Sequence, residues 1–121
     1  MDKYFVTHSQ AVALKELGFD MPCIATYTEG TIGKGEELQW FVSPQEDVNN
    51  DFTFVAAPLK SQVFEWFRKK GYDAKVQKES EGLYFGFYWT GAAWIIVGNG
   101  SYEESESACI DKLIDIVKQK L

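Results

Sequence analysis

The imidazole and thiol chemistry of this chain rests on three side chains: His8, its single histidine, and the two cysteines Cys23 and Cys109. Covalent catalysis needs such a group held against a base, with a third group orienting that base. His8 falls in the first turn of an expected helix and reads as a surface residue. Both cysteines sit inside apolar patterns, away from the Gly-rich turns that expose reactive thiols. They read as small buried hydrophobes in a reduced compartment.

Other constellations offer chemistry and then lose it on inspection. Asp47-x-Asn49-x-Asp51 echoes the start of a calcium loop, but Phe52 stands where the loop needs glycine and Pro58 where it needs glutamate. One histidine and two scattered cysteines do not make a zinc set. Gly33-Lys34-Gly35 reads as a turn, and the chain holds no P-loop, dinucleotide fingerprint or nucleophile elbow. Glu103, Glu104, Glu106, Asp111 and Asp115 supply carboxylates near the C-terminus, with Asp111 and Asp115 one helical turn apart. A solvated helix face explains them without acid–base work. No catalytic residue, metal or cofactor is therefore expected.

Two stretches have the chemistry of binding. Lys60, Arg68, Lys69, Lys70, Lys75 and Lys78 lie among two acidic residues, a net of +4 in a chain whose net charge is −6. Nucleic-acid contact through that basic patch is one expectation, although the overall charge opposes phosphate binding. The second stretch is Leu83 to Val97, the densest aromatic run of a chain that is 16% aromatic. Alternation puts Leu83, Phe85, Phe87 and Trp89 on one strand face, read as core, and Tyr84, Gly86, Tyr88 and Thr90 on the other. The second face has a notch at Gly86 between two tyrosines and calls for a cover: a helix, a loop or a second subunit. Tyr84, Gly86, Tyr88 and Trp94 form the candidate interaction surface, since Tyr and Trp favour interfaces. A small-ligand pocket lined by Tyr84, Tyr88 and Trp94 is a further reading. Phe85-Gly86-Phe87 also echoes the RNA-recognition sheet motif. The positions around it depart from that motif: Leu83-Tyr84, Tyr88 and Thr90 replace its basic residue, glycine, aliphatic and final aromatic.

The elements that must hold these residues follow from caps and periodicity. Thr7 to Gln10 is a capping box before the stripe Ala11, Leu14, Leu17, and Gly18 closes that helix. Cys23 to Tyr27 and Glu37 to Val42 read as a hairpin, followed by a polar loop from Ser43 to Asp51. Phe52 to Val55 is a short strand or an extended lead-in. Ala57-Pro58-Leu59 starts a helix with Leu59, Val63, Phe64 and Phe67 on its broad apolar face, and Gly71 ends it. Asp73 to Lys78 reads as an edge strand guarded by lysines. It leads through Glu79 to Gly82 into the aromatic hairpin, which turns at Thr90-Gly91. Ser101 to Glu104 is a second capping box, opening a helix with Cys109, Ile110, Leu113, Ile114 and Val117 on its stripe.

The expected fold is a single α+β domain over residues 1–121. An antiparallel sheet of about five strands packs on three helices in the order α-β-β-α-β-β-β-α. A chain of 121 residues with 45% hydrophobic content folds without disulfides or metals. The opening M-D-K-Y-F-V-T is too short and polar for a signal peptide, and no apolar run reaches membrane-spanning length. A cytoplasmic location follows as the expectation, and the sequon at Asn99 carries no weight there.

Ala13 to Cys23, Ala57 to Leu59 with Val63-Phe64-x-Trp66-Phe67-Arg68, and Ser101 to Glu104 leading to Ala108 through Ile114 together resemble a group of small uncharacterised proteins. Those proteins occur in Bacteroides-type gut bacteria and their phages or prophages. The resemblance covers nearly the full length and rests on caps and core positions, so it implies a phage or mobile-element setting and no activity. The first functional expectation is a non-enzymatic protein-interaction module acting on a protein partner or on itself as a homodimer. The alternatives are a nucleic-acid-contacting accessory protein and a small-ligand enzyme.

Overall fold

The computed structural model describes residues 4–28, 38–45 and 54–120. The Gly33-Lys34-Gly35 turn and the Asp47-x-Asn49-x-Asp51 echo lie outside the described residues, as does Phe52-Thr53. The chain is α+β with antiparallel strand pairing and three helices, in the expected order, with the Phe54–Ala56 stretch realised as a strand. It divides into two compact units, Met1–Gln62 and Val63–Leu121. Among the described residues six strands form two three-stranded sheets, one in each unit.

In the first unit, helix α1 (His8–Glu16) opens on the expected box. The Gln10 amide donates to the Thr7 hydroxyl at 3.2 Å, and the Thr7 amide donates to the Gln10 side chain at 3.0 Å. Gly18, at φ +87°, takes the left-handed turn that ends the helix, and the Phe19 amide returns to the Leu14 carbonyl at 3.0 Å. Strand β1 (Cys23–Thr28) is the centre of its sheet, flanked by β2 (Leu38–Gln45) and β3 (Phe54–Ala56). The core of this unit collects Phe5, Val6, Leu14, Phe19, Ala25 and Val55. Tyr27 is buried with them, and its hydroxyl donates to the Val6 carbonyl at 2.7 Å. His8 is half-buried, edge-on to the Tyr27 ring at 5.3 Å, which corrects its reading as a surface residue.

Helix α2 (Lys60–Lys69) starts later than Ala57-Pro58-Leu59 suggested. Those three residues are pulled into extended backbone by tertiary pairing. The Ala57 amide donates to Ala25 at 2.9 Å, the Pro58 carbonyl accepts from Val6 at 3.2 Å, and Leu59 bridges to Phe5. Val63, Trp66 and Phe67 are buried, as is Lys60, only 6% exposed. Gly71, at φ +92°, ends the helix, and the Tyr72 amide bonds back to Phe67 at 2.9 Å.

In the second unit, strands β4 (Ala74–Ser80), β5 (Leu83–Trp89) and β6 (Trp94–Gly100) form an antiparallel meander with β5 in the centre. Helix α3 (Tyr102–Gln119) packs across one face of it. Ser101 caps α3, accepting from the Glu104 amide at 3.1 Å while Glu104 accepts from the Ser101 amide at 3.0 Å. The β5–β6 turn is closed by Thr90, whose amide and hydroxyl both donate to the Ala93 carbonyl at 3.0 Å. Gly91 supplies φ +99° inside that turn.

Candidate functional site

Strand register decides which side of the aromatic hairpin is open. Tyr84 pairs with Gly100, Gly86 with Gly98 and Tyr88 with Ile95, so these six residues share one face. Phe85 pairs with Asn99, Phe87 with Ile96 and Trp89 with Trp94 on the other, with an irregularity at Val97 between the two runs.

The tyrosine face is covered by the chain's own helix. A Cβ on Gly86 would stand 2.7 Å from the Ser105 carbonyl and 2.8 Å from the Cys109 sulfur. One on Gly98 would collide with the Ala108 methyl. The notch at Gly86 is therefore the seat of α3. Ser105 donates to the Tyr84 carbonyl at 2.9 Å, and the Cys109 thiol lies 3.4 Å from the Lys75 carbonyl. Tyr88 is buried, and Tyr84 meets Tyr102 edge-on at 5.5 Å. Tyr84, Gly86 and Tyr88 are thus part of the helix–sheet packing, which corrects their assignment to an interaction surface. Trp94 lies on the opposite face, so no pocket joins it to Tyr84 and Tyr88.

The face read as core is the open one. Phe85 and Phe87 are half-buried, 6.3 Å apart, and Trp89 and Trp94 are each 37% exposed with their rings at 5.3 Å. Ile96 is 57% exposed beside them. Lys75 leans over this surface, its ammonium 4.3 Å from the Trp94 ring and 5.6 Å from that of Phe87. Of the expected interaction residues only Trp94 belongs to this face. Sequence alternation identified both sets correctly; it held no signal for which set the helix covers.

The basic stretch is divided between the end of α2 and strand β4. Lys60 is buried, which removes it from the patch. Lys70 stacks over Trp66 at 4.6 Å, Lys75 over Trp94, and Lys78 is bonded to Glu81 at 2.9 Å. Lys69 approaches Glu65 at 3.7 Å. Arg68 is exposed at the end of α2. These cations lie on two separate elements and are largely spent on neighbouring rings and carboxylates.

The thiols are placed for packing. Cys23 and Cys109 are buried and free, with 1% and 0% exposure. Burial pushes Cys23 up to about 12 and Cys109 up to about 11, so both stay protonated at neutral pH. Among the described residues no cluster of three or more His, Cys, Asp or Glu could hold a metal ion. Among the same residues no helix is long and apolar enough to cross a membrane.

No family model, curated protein or solved structure matches this chain.

Proposed function

We propose that the chain is a non-enzymatic protein-interaction module, acting in the phage or mobile-element setting that its sequence resemblance implies. The observation that supports this reading is the open face of the second sheet: Phe85, Phe87, Trp89, Trp94 and Ile96, contiguous and incompletely covered. Large rings left at a surface cost solvation unless a partner removes them from water, and exposed apolar patches mark interaction sites. The rings are rigid and already ordered against one another, so little side-chain entropy is lost on contact.

The test is a comparative capture from a phage-carrying host of the Bacteroides type, using the wild-type chain and the double variant Trp89→Ser/Trp94→Ser. A protein enriched on the wild type and lost from the variant supports the reading. An identical set of proteins on both overturns it.

A further inference from the structure

The open face runs out at β6, whose outer side is unpaired among the described residues. The two edges of this sheet are treated differently. β4 carries Lys75, Lys78 and Glu79, the usual guard against strand addition. β6 reads Trp-Ile-Ile-Val-Gly-Asn-Gly and carries no charge. Its outward backbone is available. The Trp89 amide is used on the β4 side, donating to Asp73, while Thr90 bonds across to Ala93. The ladder therefore pairs Tyr88 with Ile95 and leaves the amides of Trp94 and Ile96 pointing away from β5.

The helix above this edge exposes Glu104, Asp111 and Asp115, with Lys112 half-buried among them and Lys118 in its last turn. Glu104 lies over Gly100, where an added Cβ would meet its carboxylate at 2.9 Å, and Ala108 lies over Gly98. Those contacts fix the line of α3 that runs above β6. Helical spacing carries that line on to Asp111, Lys112 and Asp115, of which the two acids are exposed. Below the same edge lie Trp94 and Ile96.

We infer that β6 is a receiving edge for an extended segment of another protein whose side chains alternate between basic and apolar. Such a segment would add a fourth strand to the sheet. Alternate side chains of an added strand point to opposite faces. One set would lie under the carboxylates of α3 and the other on Trp94 and Ile96. A second copy of this chain fits less well. Two copies joined antiparallel at β6 would set their α3 helices about two strand spacings apart, roughly 10 Å. The three exposed acids of one α3 would then approach those of the other across that gap. This assignment rests on the reading of the chain as an interaction module and names the partner's chemistry.

The experiment uses the full chain, isotope-labelled for amide spectra, with two synthetic octapeptides: one alternating lysine and valine, one alternating glutamate and valine. The expected result is a saturable shift of the Trp94 and Ile96 amides with the lysine peptide. Affinity should fall with added salt, and the glutamate peptide should bind about tenfold more weakly or less, a 1.4 kcal/mol discrimination. Ile96→Pro removes an outward donor and should abolish the shift. Ile96→Lys, at an exposed position that leaves the fold intact, should weaken it as well. Asp111→Asn with Asp115→Asn should erase the preference for lysine over glutamate. Equal binding of the two peptides, shifts mapping away from β6, or no binding of either overturns the inference. So does a wild-type dimer in sedimentation that Ile96→Pro dissociates. If the peptides fail while the capture of a partner still depends on Trp89 and Trp94, the edge assignment falls and the interaction module stands.

Discussion

Gly86 and Gly98 stand directly opposite each other on β5 and β6, and together they form the floor on which α3 rests. Neither glycine has a positive φ, so the requirement at both is space and not backbone freedom. Gly86→Ala should destabilise the chain by about 1–3 kcal/mol, because the new methyl meets the Ser105 backbone, which cannot rotate away. Gly98→Ala meets only the Ala108 side chain, so Ala108→Gly should recover part of its loss, less about 1 kcal/mol for glycine in a helix. Chemical denaturation of the two singles and the Gly98→Ala/Ala108→Gly double measures the coupling.

The cap of α3 makes a prediction about pH. The Glu104 carboxyl is held below its usual range, first by the Ser101 amide and then by the Ser101 hydroxyl. A depressed carboxylate adds stability above its unfolded pKa, and that stability is lost as pH falls through the folded value. Stability should therefore decline on acidification through the carboxylate range, and Glu104→Gln should flatten that slope. Ser101→Ala removes the other half of the box and should cost about 1 kcal/mol at neutral pH.

The thiols predict the opposite limb. Both are raised by burial, so the folded state keeps protons that the unfolded chain gives up. Their contribution is intact below the ordinary thiol value of 9.0 and is lost as pH climbs toward the folded values of about 11 and about 12. Alkaline destabilisation should begin near pH 9 and soften in Cys23→Ala/Cys109→Ala. At neutral pH a thiol reagent should label neither cysteine until denaturant is added.

Tyr27 anchors the first unit by a buried bond to the Val6 carbonyl, 2.7 Å long. Tyr27→Phe keeps the ring, with its edge contact to His8, and deletes the donor. The loss should be about 1–3 kcal/mol, the cost of leaving a buried acceptor unmet. Thermal unfolding compared with the wild type reads it directly.

The legible features of this fold are the local ones. Both capping boxes are bonds between residues three apart, so Thr7 with Gln10 and Ser101 with Glu104 announce themselves in sequence. The facing sets on β5 follow from alternation alone. What alternation cannot say is which set is inside when both are apolar. The available signal was spacing of small residues: Gly86 and Gly98 on adjacent strands, matched by Ser105 and Ala108 on the helix. That signal needs the register, and the register depends on the irregularity at Val97. The delayed start of α2 depends on Val6 and Ala25, more than thirty residues upstream. Periodicity within a helix holds no record of such distant partners.

The glycine floor also determines something visible from outside. With no side chains to stand on, α3 settles close against β5 and β6, and that seat sets Glu104 over Gly100 and Ala108 over Gly98. A methyl group added in the interior would turn the helix and carry the outer carboxylates with it. Recognition at the proposed β6 edge would thus be retuned from the inside, by a substitution that no binding partner ever touches.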